Sequence, residues 1–92
     1  MQLAVSFVGK TIYTGPHGVL VDALILARKR SGLTQAEVGA RIGRDQTFIS
    51  IIENRQRQVT VLEFVALVRA MGQDAAEVFA TVADKIPENL KV

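Results

Sequence analysis

The 92-residue chain contains no cysteine, which excludes a disulfide scaffold, a thiolate metal site and a cysteine nucleophile. The absence also fits the cytoplasmic location that we expect. No apolar run approaches the ~20 residues that a membrane-spanning helix needs, and the start, MQLAVSFVGK, lacks the features of a signal peptide. We therefore predict a single domain without a membrane partner. Because 49% of its residues are hydrophobic, it can form a core unaided.

Groups suited to catalysis are also scarce. His17 is the only histidine, and it lies in Gly15-Pro16-His17-Gly18, which we predict to be an exposed turn. A lone exposed histidine is usually inert, since catalytic and metal sites need several converging partners. The sequence has no Walker loop, no GxGxxG and no HExxH pattern. It therefore predicts no enzyme activity, no cofactor and no metal.

Charge is unevenly distributed, although the formal net charge is only +2. Residues 28–57 hold seven basic and three acidic side chains, a net of +4, and the rest of the chain holds four basic and six acidic ones, a net of −2. A basic middle segment is typical of a surface that faces a polyanion. Ordinary solvated charge explains the same distribution equally well when charge is considered alone.

The pattern of apolar residues predicts an all-α protein. Residues 3–14, LAVSFVGKTIYT, show no helical period and predict a short extended or strand-like arm. A first helix follows and ends at Gly32. Three capping-box patterns then predict further helix starts: Thr34 with Glu37, Thr60 with Glu63, and Asp74 with Glu77. With a helix that starts at Asp45, the predicted helices span 34–42, 45–54, 60–71 and 74–85. We assign 1–18 to the arm, 19–86 to the domain and 87–92 to a tail.

Two of these helices meet at a short polar break, Gly43-Arg44-Asp45. At ~100° per residue, Ile49 and Ile52 fall on one side of the later helix. Gly39 suits a close crossing of the two helices. The opposite, outward side of the later helix carries Gln46, Thr47, Ser50, Ile51 and Asn54. Two helices joined by a turn that contains glycine form a helix-turn-helix.

The motifs ARKRSGLTQAEVGARIG, RDQTFIS, Glu53-Asn54 and VLEFVALVRAMG, between Leu24 and Phe79, resemble the phage-repressor and Cro-like helix-turn-helix family, often called the XRE family. This resemblance implies a compact, lambda-repressor-like bundle of five helices. Its second helix would cross the DNA backbone and its third would enter the major groove.

The resemblance also implies roles for individual residues. Gln35 would donate to a phosphate, and Gln46 and Thr47 would contact base edges. Arg41 and Arg44 are placed to meet phosphates, whereas Asp45 is expected to cap a helix. The predicted DNA-binding set is Gln35, Arg44, Gln46, Thr47, Ser50, Ile51, Asn54 and Arg57.

Four residues need separate treatment, namely a structural ion pair and two departures from the family pattern. Arg28 and Glu53 match a largely buried ion pair of the family, which would join the first helix to the third. Ile51 stands where the family usually has a polar residue, and it could pack on thymine methyl groups or mark a protein-binding surface. Arg55 replaces the usual glycine after the third helix, so either Arg55 or Asn54 would take a left-handed conformation.

The predicted function is sequence-specific DNA binding by a transcriptional regulator, a repressor that contacts its double-stranded DNA operator as a homodimer. The arm, the last helix or the tail would form the dimer, and strand exchange between arms is one route. One alternative is an antitoxin that represses its own toxin–antitoxin operon and binds a toxin. Another is a helix-turn-helix module that has been repurposed for protein binding.

Overall fold

A computed structural model of the chain describes residues 15–91, and all regular structure in that range is helical. The five helices are α1 (Pro16–Ser31), α2 (Gln35–Arg41), α3 (Gln46–Glu53), α4 (Val61–Ala70) and α5 (Ala75–Lys85). The predicted all-α five-helix class is confirmed. The predicted extended arm at residues 3–14 lies outside the described residues.

The predicted turn at Gly15-Pro16-His17-Gly18 is wrong, because α1 already begins at Pro16. Proline favours the first position of a helix, where its fixed φ angle suits the helix and its missing N–H has no intrahelical partner to lose. Gly15 precedes it with φ 64° and ψ −134°, a conformation that an L side chain rarely adopts. The helix therefore starts inside the range that the sequence assigned to the arm, and it ends as predicted at a left-handed Gly32 with φ 75°.

Side-chain caps fix the starts of the other four helices. Thr34 and Thr60 form complete capping boxes with Glu37 and Glu63, so both predicted reciprocal pairs are present. Asp74 accepts a hydrogen bond from the backbone N–H of Glu77 at 3.0 Å, which is the N-cap half of the third predicted box. Asp45 caps α3 through the N–H of Phe48 at 3.2 Å, as expected of a cap.

The core lies between α1 and the other helices. α1 packs against α3, α4 and α5, while α2 packs against α3 and α4. The helices contribute one continuous cluster of buried residues, namely Leu24, Ala27, Val38, Ile49, Ile52, Phe64, Leu67, Val68 and Met71. Because α2 and α3 each bury an apolar side in this cluster, their remaining sides face outward together.

Candidate nucleic-acid interface

The turn between α2 and α3 is tight and is built on glycine. Gly43 has φ 76°, and the N–H of Arg44 donates to the carbonyl of Gly39 at 2.8 Å. A Cβ atom on Gly39 would lie 2.8 Å from the carbonyl oxygen of Asp45 and 2.9 Å from that of Arg44. Both neighbours are backbone atoms, so a side chain at this position would push α3 away from α2. Gly39 thus provides the close crossing that the sequence predicted.

The exposed side of α3 divides into free and partly covered positions. Gln46, Thr47 and Asn54 are exposed, as the helical pattern predicts. Ser50 and Ile51 are only half-exposed, and the Ser50 hydroxyl donates to the carbonyl of Thr47 at 3.1 Å. The N-terminal half of α3 therefore offers the most accessible polar groups, which is the part of a recognition helix that reaches base edges in the helix-turn-helix docking geometry.

An ion pair joins α1 to α3 beneath this surface. Arg28 donates from Nε to Oε2 of Glu53 at 2.6 Å and from Nη2 to Oε1 at 3.0 Å. The two side chains keep only 15% and 9% of their surface exposed. The hydrogen bond to Glu53 raises the pKa of Arg28 above its ordinary value. A third Arg28 nitrogen donates to the carbonyl of Leu33 at 3.0 Å, so the guanidinium also anchors the loop before α2.

The network continues from the ion pair to the outward surface. Gln35 donates from Nε2 to Oε1 of Glu53 at 2.9 Å, and Gln46 donates from Nε2 to Oε1 of Gln35 at 3.2 Å. The chain of hydrogen bonds therefore runs from Arg28 through Glu53 and Gln35 to Gln46. The amide of Gln35 donates to Glu53 and the amide of Gln46 donates to Gln35, so these two bonds fix the orientation of both side chains.

The amide of Gln46 keeps the groups that base recognition requires. Its Oε1 and its second Nε2 hydrogen remain available after it has bonded to Gln35. One acceptor and one donor on a planar amide match N6–H and N7 of adenine. Gln35, which has already used its oxygen and one N–H, retains one hydrogen that could be donated to a phosphate.

Two arginines flank α3 and share an aromatic support. The guanidinium carbon of Arg44 lies 4.3 Å from the centre of the Phe48 ring, and that of Arg57 lies 5.2 Å from it. Arg57 also forms a two-pronged pair with Glu63, at 3.0 and 3.1 Å. Arg57 lowers the pKa of Glu63, since its hydrogen bonds favour the charged carboxylate. The charge of Arg57 is therefore partly engaged within the protein, whereas the ring contact of Arg44 leaves its charge uncompensated.

Arg41 and Arg55 hold helices together. Arg41, although exposed, donates to the carbonyl of Ala70 at 2.8 Å, a favourable place for a cation because it is the C-terminus of α4. Arg55 has φ 60° and is therefore the residue that takes the left-handed turn after α3. Its guanidinium pairs with Asp22 of α1. These contacts give both arginines a structural role that charge counting did not indicate.

His17 belongs to the first turn of α1 and is half-buried, so its prediction as an exposed turn residue is wrong. Its Nε2 accepts a hydrogen bond from the N–H of Val59 at 3.2 Å, which joins α1 to the loop before α4. Burial, and secondly the charge of Arg55, lower the pKa of His17 below its ordinary value. The side chain therefore serves the fold in its neutral form.

Several of these contacts were not predicted from the sequence. The Gln35–Gln46 bond, the Gln35–Glu53 bond and the Arg57–Glu63 pair connect residues whose spacing carries no pattern. Within residues 15–91, no group of three or more His, Asp or Glu side chains could hold a metal ion. Over the same range, no helix is long and apolar enough to cross a membrane.

Comparisons with known proteins agree with this geometry. A family model described as a helix-turn-helix domain matches residues 20–80. The chain is 38% identical over 60 residues to the uncharacterized HTH-type transcriptional regulator y4dJ of Sinorhizobium fredii (strain NBRC 101917 / NGR234), covering 65% of this chain and 77% of the relative.

Two solved structures are also similar. One is an XRE-family like protein from Pseudomonas syringae pv. tomato str. DC3000, with a TM-score of 0.73 and 30% identity, covering 95% of this chain and all of the other. The second is the clp gene regulator ClgR from C. glutamicum, with a TM-score of 0.69 and 19% identity, covering 84% of this chain and all of the other. At this lower identity, the likeness to ClgR concerns the fold alone.

Proposed function

This chain belongs to the XRE-like helix-turn-helix family of DNA-binding proteins, and we propose that it is a transcriptional repressor that binds its operator as a homodimer. Such family members regulate transcription and are not enzymes, in agreement with the prediction from the sequence. A regulator of this kind acts where the DNA is, and we accordingly place it in the cytoplasm.

The observation that carries this proposal is the hydrogen-bonded pair of amides formed by Gln35, at the start of α2, and Gln46, at the start of α3. Gln46 keeps one amide acceptor and one amide donor after bonding to Gln35, and both Gln46 and its neighbour Thr47 are exposed. We assign contacts with base edges in the major groove to these two residues. Ser50 and Ile51 are partly covered and would make secondary contacts, with Asn54 at the far end of the helix.

Phosphate contacts would orient the domain on the duplex. Gln35 lies at the first position of α2, where a helix N-terminus favours an anion and one of its N–H groups is still available. Arg44 stands in the turn before α3 with its guanidinium over Phe48. Arg57 follows α3, but its pairing with Glu63 limits what it can offer to a phosphate.

A dimer follows from the small number of base contacts that one domain provides. A single short recognition helix contacts only a few base pairs, and single modules bury too little surface for tight specific binding. Two copies related by a two-fold axis would bind two half-sites about one helical turn, or roughly 34 Å, apart. We therefore expect the operator to be a pseudo-palindrome.

The test is to select bound fragments from random-sequence DNA with the wild-type protein. Gln46→Ala and Thr47→Ala should then weaken binding to the selected site by about 1–3 kcal/mol while leaving non-specific binding nearly unchanged. Asn89→Ala, at an exposed position beyond α5, is the matched control and should bind as wild type does. If both α3 variants bind like the control, α3 is not the recognition helix. A protein-binding module would select no sequence, and an antitoxin would also form a stable complex with a toxin.

A further inference from the structure

An apolar groove runs between α1 and α5, on the side of the domain that the proposed DNA contacts do not use. It has a volume of about 580 Å³, and no residue of α2 or α3 lines it. Its apolar lining comes from Val19, Ala23, Leu26, Ala27, Val78 and Val82. Leu26 is 48% exposed, so part of the apolar surface of this groove faces solvent. We propose that this groove binds the N-terminal arm of a second copy of the chain.

The arm has the right length and composition for this groove. Residues 1–14 lie outside the described part of the chain and join α1 at Gly15. The groove follows α1 from Val19 to Arg30, which is about 16 Å at 1.5 Å per residue. The six-residue run LAVSFV, apolar except for Ser6, would cover roughly 20 Å if extended. An extended run would direct Leu3, Val5 and Phe7 to one face, which would cover Leu26.

The direction of the groove favours the arm of a second copy over the chain's own arm. The groove begins at Val19, one helical turn after the junction at Gly15, and then follows α1 away from that junction. The chain's own arm would have to reverse direction to enter it. The entry of an arm from a two-fold related copy is set by the symmetry axis and not by the connection at Gly15, and each copy then fills the groove of the other.

The size of the resulting contact suits a stable dimer. Twelve residues line the groove, which alone is too few for a standard interface. The six residues of LAVSFV that the groove can hold and these twelve make 18 per protomer, which is close to the roughly 20–30 residues on each side of a standard interface. Exchange of the arms thus supplies the dimer that the proposed function requires and leaves α3 free for DNA. The inference of arm exchange rests on that proposed function.

Disulfide trapping tests the exchange directly, because the chain has no native cysteine. One chain carries Phe7→Cys or, in a separate experiment, Val5→Cys. It is mixed at ~10 μM with a second chain that carries Leu26→Cys, and the mixture is oxidised. The matched control replaces Leu26→Cys with Leu62→Cys, at a leucine that is 81% exposed and lies outside the groove. A docked arm brings the thiols to an effective millimolar concentration, so the heterodimer should form about a hundredfold faster than in the control.

Two results would overturn the exchange. One is cross-linking of both arm variants at the control rate. The other appears when both cysteines are placed in one chain: a disulfide within the monomer that persists on dilution would mean that the arm occupies its own groove.

A second measurement covers the chance that cysteine variants misfold. Leu26→Asp should shift the sedimenting mass from dimer to monomer with an unchanged circular dichroism spectrum, whereas Leu62→Asp should remain dimeric.

The cross-linking requires no DNA, so it separates this inference from the proposed function. Loss of cross-linking with intact site-specific DNA binding would overturn the arm exchange and leave the regulator in place. Efficient cross-linking in a protein that selects no DNA sequence would support the arm exchange and overturn the proposal that the protein is a repressor.

Discussion

Gln46 donates a hydrogen bond to the side-chain oxygen of Gln35, 3.2 Å away, across the turn that joins α2 and α3. Gln35 in turn donates to Glu53. The residue proposed to contact a base therefore obtains its orientation from a residue proposed to contact a phosphate. Disturbing either amide should disturb the function of the other.

We therefore predict that Gln35→Ala and Gln46→Ala are not additive in their effect on binding to the selected operator. Each single change removes the Gln35–Gln46 bond, so the double variant should lose less than the sum of the two single losses. Contacting residues of this kind usually show interaction energies of about 0.5–3 kcal/mol. The measurement is a double-mutant cycle of operator affinity at one salt concentration. Additivity within about 0.3 kcal/mol would mean that the bond does not orient Gln46 in the complex.

The Arg28–Glu53 pair should contribute strongly to stability. Glu53→Gln leaves the charge of Arg28 without its partner in a site where the two side chains are 15% and 9% exposed. Breaking a buried pair costs about 3–5 kcal/mol, and the residual exposure places our expectation near 3 kcal/mol. Chemical denaturation measures the loss. Asp22→Asn, which breaks the more exposed pair with Arg55, is the control and should cost less than about 1 kcal/mol. Similar losses in the two variants would contradict the prediction.

Replacing Gly39 with alanine should destabilise the helix-turn-helix by about 1–3 kcal/mol, the usual cost of overpacking. The new Cβ would lie 2.8 Å from a backbone oxygen that no side-chain rotation can move. Gly18→Ala is the matched control, since its Cβ would meet only the flexible side chain of Arg55, at 3.4 Å. There alanine should be neutral or stabilise by up to about 1 kcal/mol through helix propensity. Thermal unfolding of both variants checks the difference, and an equal loss of stability in the two would contradict the prediction.

Much of this architecture could be predicted because its signals are local. A capping oxygen, a glutamate three residues later and a glycine after the last turn are short-range features, and helix starts at Thr34 and Thr60 follow from them. The inward position of Ile49 and Ile52 follows from the helical period. The error at Gly15-Pro16 arose because the same two residues are typical of a turn and of a helix start, and the chain downstream decides between them.

The polar network could not be predicted from the residues alone. Gln35 contacts Glu53 because two helices cross at one angle, and no spacing in the sequence encodes that distance. The pairing of Arg57 with Glu63 was missed because Glu63 already had a role as a capping residue. The capping-box pattern indicates the contact of Glu63 with Thr60, and no pattern in the sequence indicates its second contact, with Arg57.

The neutral form of His17 should make the fold sensitive to mild acid. Because the folded pKa lies below the ordinary value of 6.5, the unfolded chain binds protons first as the pH falls. The contribution of His17 to the free energy of unfolding should be complete above pH 6.5 and should decline from there towards the lower folded pKa. His17→Gln retains an acceptor for the Val59 N–H and should reduce this slope. Denaturation at a series of pH values measures it, and equal slopes in both proteins would refute the assignment.

Glu63 offers a way to change DNA affinity without changing the fold. Its carboxylate completes the capping box with Thr60 and also holds the guanidinium of Arg57. Glutamine can replace glutamate in a capping box, so Glu63→Gln should keep α4 capped while it removes the negative charge beside Arg57. A freed Arg57 could then neutralise a phosphate. We expect stronger non-specific binding and a plot of log affinity against log salt that steepens by up to about 0.9.

Glu37→Gln is the matched control for this change, because Glu37 has the same position in the capping box of α2 and no arginine hydrogen-bonded to it. The control also removes one negative charge, so it measures the general electrostatic gain that any such substitution brings. The effect specific to Arg57 is the difference between the two variants in salt slope. Adding Arg57→Gln to Glu63→Gln should abolish that difference. If the slope of Glu63→Gln equals that of Glu37→Gln from the outset, Arg57 does not reach the DNA backbone, and the phosphate contacts would rest on Arg44 and the start of α2.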